Sequence, residues 1–114
     1  MNTMAQPAWQ VTPEKLQEAV RRLVAVARPL KIILFGSRAR GEAQLDSDLD
    51  LMVVLAKVQD RVAEMVRLNR ALRGLVLPVE LVVVSQAMFD EWAGYPGSVY
   101  AEARREGQVL YEAA

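Results

Sequence analysis

Three carboxylates, a glycine-serine pair and two arginines are the residues with which this chain could do chemistry. Asp48 and Asp50 stand two apart at the head of an apolar run, Asp48-Leu49-Asp50-Leu51-Met52-Val53-Val54-Leu55. In an extended chain they project from one face roughly 7 Å apart along the backbone, while Leu49, Leu51, Val53 and Leu55 take the other. Two carboxylates so close raise one another's pKa unless a cation neutralises them, and oxygen ligands without His or Cys favour Mg2+ or Mn2+. The plain alternative is a pair of solvated charges capping a turn. Gly36 and Ser37 close the preceding apolar run, Lys31 to Phe35, and Arg38 and Arg40 follow at once. A turn of backbone N–H groups leading into a short helix, with Ser37, Arg38 and Arg40 as further donors, can receive phosphate oxygens. Glu80 lies inside Val79-Glu80-Leu81-Val82-Val83-Val84, a run too uniformly apolar for a half-exposed strand. An unpaired charge buried there would be costly, so Glu80 lies at a solvated strand end, pairs with an arginine, or faces cations.

Several chemistries are excluded by what is missing. Gly36 and Gly41 are spaced as in a phosphate loop of nucleotide hydrolases, but Glu42 and Ala43 stand where that loop needs Lys and then Ser or Thr. A dinucleotide fingerprint is also absent. With no Cys and no His there is no disulfide, no thiol or imidazole nucleophile, no imidazole base and no zinc site, which leaves carboxylates and arginines. The 14 basic and 14 acidic residues balance, so binding to extended nucleic acid by counterion release is not expected. No apolar run approaches the ~20 residues of a membrane span and no signal segment opens the chain, so the expected location is cytoplasmic.

The elements that must position these residues follow from periodicity. The 114 residues suit one domain, 12–114, behind a loose N-terminal arm, 1–11, in which Trp9 is the one candidate anchor. Thr12 as N-cap with Pro13 at the first helical position starts a helix whose apolar face is Leu16, Val20, Leu23, Val24 and Ala27, and Pro29 stops it. Strand 31–35, the Gly36–Ser37 turn with Ser37 as N-cap of a short helical segment 38–43, and a turn at Asp46-Ser47 lead to the strand that begins at Asp48. Residues 58–72 read as a helix with Val62, Met65, Val66 and Leu72 inward and Arg61, Arg67, Arg70 and Arg73 outward, a solvated face balanced by Asp60 and Glu64. Strand 79–84 comes next, then a helix capped by Ser85 running through Trp92, and a helix capped by Ser98 running to Glu106. Residues 108–111 form a short extended piece or pack across the domain, and Tyr100 and Tyr111 serve packing rather than base stacking. The expected class is therefore α/β, a small mixed sheet with strands near 31–35, 49–55 and 79–84, helices mainly on one face, and the site on an uncovered face.

Gly36-Ser37, ten residues, then Asp48-Leu49-Asp50 resembles the signature of the polymerase-beta-like nucleotidyltransferases. The wider stretches Gly36 to Ala43 and Ser47 to Leu51 resemble, more narrowly, the minimal nucleotidyltransferases, small antitoxins found beside HEPN-domain partners. The resemblance implies two Mg2+ ions held by Asp48, Asp50 and Glu80, with ATP as the usual donor. It implies that Gly36 and Ser37 hold the β- and γ-phosphates, that Arg40 and also Arg38 offset their charge, and that the third carboxylate accepts the proton of the attacking hydroxyl. Minimal members more often carry aspartate at that third position, and Glu80 is one methylene longer. The acceptor implied is a tyrosine of a helical HEPN-type toxin, a separate protein standing in for the helical domain that larger relatives carry. A non-catalytic binding antitoxin, and nucleotidyl transfer to a small molecule such as an aminoglycoside, are the other readings.

Overall fold

The computed structural model describes residues 10–43 and 47–114. Their order is α1 (Pro13–Ala27), β1 (Lys31–Phe35), α2 (Ser37–Arg40), β2 (Leu49–Leu55), α3 (Arg61–Ala71), β3 (Val79–Ser85), α4 (Gln86–Trp92), α5 (Val99–Glu106) and β4 (Gln108–Glu112). Trp9 and Asp46 lie outside the described residues. Of the expected arm, Gln10 and Val11 are described: the Gln10 carbonyl accepts from Lys15 Nζ at 2.9 Å, and Val11 packs on the core.

The caps read from sequence set the helix starts. The side chains of Thr12, Ser85 and Ser98 each accept a backbone N–H three residues on, from Lys15, Met88 and Ala101. Two starts differ from expectation. Gly36, not Ser37, is the N-cap of α2, and Ser37 is its first helical residue. Asp60 caps α3 by accepting from Ala63, so that helix begins three residues later than the apolar Val58 suggested.

The four strands form one mixed sheet in the order β3-β2-β1-β4. β1 runs antiparallel to both β2 and β4, and β2 runs parallel to β3, with α3 as the crossover. The extended piece at 108–112 is thus an edge strand that completes the sheet.

Alternation along the strands builds two cores. Ile32, Leu34, Leu49, Leu51, Val53, Leu55, Leu81 and Val83 face α1 and α3, meeting Ala19, Leu23, Leu68 and Leu72. Ile33, Phe35, Met52, Val54 and Val84 take the opposite face, against Phe89 and Ala93 of the α4 segment and Ala103 of α5. The two longest helices share a face as expected, but the second face is also roofed, over part of its length. Within α3 the inward set differs too: Leu68 and Leu72 are buried, Met65 is partly so, while Val62 and Val66 are 70% and 45% exposed. Val66 precedes Leu68 by two residues, about 200° around the helix, so the two cannot share a face. Arg61, Arg67, Arg70 and Arg73 point outward as expected.

α5 sits close against β1 because Gly107 has no side chain: a Cβ there would collide with the Ala103 carbonyl and with Ile33 Cγ2. Gly107→Ala is expected to destabilise the fold by about 1–3 kcal/mol through overpacking, read from urea unfolding midpoints.

Candidate functional site

Glycine at 36 is dictated locally. Its φ of 77° and ψ of −158° lie in a region open essentially to glycine, and a Cβ would strike Asp50 Oδ2. The chain can turn out of β1 and still leave room for the Asp50 carboxylate because that position is bare. The turn then enters α2, whose last carbonyls are closed by Gly41 at φ 74° and by the Glu42 N–H donating to Ser37 O at 2.9 Å.

Three long side chains pin this segment to the rest of the fold. The Arg38 guanidinium donates to the Ser47 carbonyl at 2.8 and 3.1 Å, tying α2 to the chain entering β2. Gln108 Nε2 donates to the Ala39 carbonyl at 3.2 Å, tying α2 to β4. Arg40 is held by two carboxylates, Glu42 Oε1 and Glu102 Oε2, each at 2.9 Å. Arg38 is therefore a bracing residue in this arrangement, and Arg40 stands at the site with its charge already matched.

The acids converge through the sheet. Asp50 is opposite Phe35 on the antiparallel side and in register with Glu80 on the parallel side. Residues in register on parallel strands share a face, so Asp50 and Glu80 lie side by side, on the face that Met52, Val82 and Val84 give to α4 and α5. They occupy the end of that face which the two helices leave open. Glu80 is exposed and makes no ion pair among the described residues, so the structural pairing with an arginine of α3 is not found; it stands at the solvated start of β3. Asp48, also exposed, precedes β2 by one residue.

Asp50 carries the electrostatic load of this geometry. Burial pushes its carboxyl above the usual carboxylate range, and the charges of Glu80, Asp48 and Glu102 push it further, with Arg40 opposing. Glu102 was not singled out from sequence, since nothing local to Ser98–Glu106 says that α5 comes to rest beside α2. Among the described residues no group of three carboxylates is gathered tightly enough to form a ready cage for an ion. The donor set nevertheless fits a hard divalent cation, because Mg2+ is usually held by one or two carboxylates together with water and substrate phosphates. A half-buried carboxylate beside three others is the group that gains most from one.

The expected aromatic roles hold as packing: Tyr100 and Tyr111 are partly buried against the two cores. No helix among the described residues is long and apolar enough to cross a membrane.

Two outcomes follow. Gly36→Ala is expected to lose about 1–3 kcal/mol of stability from the forced backbone alone, and to displace Asp50 as well. Asp50→Asn is expected to melt higher than the wild type at pH 7–8 in EDTA. A raised folded-state pKa means that stability present with Asp50 protonated, below its unfolded value, is lost as pH rises through the folded value. The difference between the two melting curves should therefore shrink as pH falls toward about 4, and a constant difference would locate the effect elsewhere.

Known proteins share this fold. Residues 13–105 match the family model described as the nucleotidyltransferase domain. A protein of Methanocaldococcus jannaschii, provisionally named a protein adenylyltransferase, is 33% identical over 81 residues, 71% of this chain and 77% of its own length. A nucleotidyltransferase structure from Sulfolobus solfataricus, likewise provisionally named, superposes with a TM-score of 0.55 at 18% identity, over 97% of this chain and 93% of the other. A chain from the complex of a tri-AMPylated Shewanella oneidensis HEPN toxin with its MNT antitoxin gives a TM-score of 0.52 at 18% identity, covering 87% of this chain and 73% of its own. A toxin-antitoxin structure with AMP-PNP gives 0.53 at 22% identity, over 85% and 73%. The family model over residues 13–105 and the 33% identical relative agree with the fold that the solved structures share: the chain belongs to the nucleotidyltransferase domain family.

Proposed function

We propose that this nucleotidyltransferase moves AMP from ATP to a tyrosine hydroxyl of a helical HEPN-type toxin, in a Mg2+-dependent reaction, and so acts as its antitoxin. The observation that carries the reading is the side-by-side placement of Asp50 and Glu80 next to the Gly36 turn, with Asp48 just upstream. The provisional adenylyltransferase name of the M. jannaschii relative, and the AMPylated toxin in the S. oneidensis complex, supply the donor and acceptor classes.

In this mechanism Gly36 and Ser37 hold the β- and γ-phosphates, and Arg40 lends its guanidinium to their charge. Asp48, Asp50 and Glu80 would hold Mg2+, which when bound supplies positive charge for the triphosphate and a lowered pKa for the attacking hydroxyl. Glu80, exposed and without an ion-pair partner among the described residues, is free to turn toward an incoming acceptor and take its proton. The acceptor oxygen forms a bond to the α-phosphorus, the bond from that phosphorus to the β-bridging oxygen breaks, and pyrophosphate leaves with the electron pair. The open end of the sheet face, bounded by α2 and α5, leaves room for an acceptor presented by another protein.

Two measurements test this. ATP affinity by calorimetry should fall at least tenfold on replacing Mg2+ with EDTA, and again in Asp50→Asn with Mg2+ present; equal affinity in all three conditions would remove the metal-site reading. Transfer of labelled AMP to a co-purified helical partner should drop by 10²-fold or more, on the order of one acid–base contribution, in Glu80→Gln, while the melting temperature in EDTA holds or rises. Wild-type transfer by that variant would rule Glu80 out of the chemistry.

A further inference from the structure

We propose that Glu102 is an electrostatic latch on Arg40: it holds the guanidinium away from the phosphate site when no nucleotide is present and yields it to the triphosphate. The inference rests on the nucleotide site proposed above and adds how that site is kept closed to weaker anions.

The geometry is specific. Arg40 Nε is taken by Glu42, its close neighbour in sequence, and Arg40 Nη1 by Glu102, which comes from α5. The second contact joins two elements far apart in sequence: α2 belongs to the turn that leaves β1, whereas α5 packs on the sheet face that Asp50 and Glu80 share. Glu102 is placed there by two independent features. Ser98 fixes the start of α5, and the bare Gly107 lets its end settle on Ile33 of β1. The carboxylate is thus delivered by the scaffold.

The contact is also of the right strength to be exchanged. The side chains of Arg40 and Glu102 are 32% and 33% exposed, and an ion pair of that exposure is a weak one. A triphosphate offers Arg40 several charge-assisted acceptors at once and outcompetes a single carboxylate, while a lone monoanion does not.

The test is a double-mutant cycle on ATP affinity, read by calorimetry in Mg2+ with Glu102→Gln, Arg40→Gln and the combination. Glu102→Gln should tighten ATP binding by roughly two- to fivefold, the range expected of a partly exposed ion pair that no longer has to be broken. In the Arg40→Gln background the same change should bring no gain, because there is nothing to release. An equal gain in both backgrounds would show Glu102 acting only as a repelling charge, and would overturn the latch. Weaker binding in Glu102→Gln would overturn it in the other direction, with Glu102 presenting Arg40 to the phosphates. Absence of ATP binding by the wild-type protein would remove the nucleotide reading itself along with the latch. Melting curves of the three variants, all at half-exposed positions, report whether each remains folded.

Discussion

Repulsion between like charges at one end of a sheet is the constraint from which the rest of the structure can be understood. Asp50 and Glu80 come from two adjacent strands, Asp48 from the residue before the first of them and Glu102 from a helix, and they converge where Asp50 is half buried. Nothing in the folding of a small domain asks for this, since an uncompensated carboxylate beside others opposes folding. The remainder of the chain must therefore supply enough apolar burial to hold the cluster together. It does so on both faces of the sheet, where Leu23, Ile32, Leu51, Met52, Val53 and Val54 are fully buried. Locally unfavourable charge held by a rigid core is the pattern expected where a protein waits for a cation or a polyphosphate.

The parallel pairing of β2 with β3 translates that constraint into position. Register places Asp50 beside Glu80, and the alternation that buries Leu49, Leu51, Leu81 and Val83 on one face fixes the acids on the other. A slip of one residue would turn Glu80 into the core and Leu81 into solvent, so the hydrophobic pattern guards the site geometry as firmly as it guards stability. The clamp around α2 works at a different level. Arg38, Gln108 and Arg40 each reach to a different part of the chain, so the turn after β1 is held by contacts that no single element provides.

Much of this was legible from the residues alone, for physical reasons that can be named. Side-chain caps and the period-two and 3.6-residue patterns depend on neighbours a few positions away. That is why the limits of α1, β1, α4 and α5 could be read directly. The family signature joined Gly36-Ser37 to Asp48-Leu49-Asp50 across a turn that periodicity could not describe. What escaped depends on tertiary choice. Val58 is apolar enough to seem helical, but Asp60 offers the better cap. Val62 and Val66 are apolar, yet the helix has one face turned to the sheet, and Leu68 and Leu72 take it. The role of Glu102 depends on where α5 docks, which is decided by a missing Cβ at Gly107 and by β4 pairing with β1.

That last pairing has a bearing on how the protein comes to be competent. β4 joins β1 from the opposite end of the described chain, and α5 and Gln108 arrive with it, so two of the braces on the turn after β1 are among the most non-local contacts in the fold. Non-local contacts bear the largest loop-closure cost and form late. A chain that has assembled β1, β2 and β3 but not yet docked β4 already has Asp48, Asp50 and Glu80 together, with Arg38 bonded to Ser47, and lacks the two longer braces from Glu102 and Gln108. The arrangement around the turn is then complete only in the finished sheet, and any ligand that selects the finished sheet draws the folding equilibrium toward it by mass action.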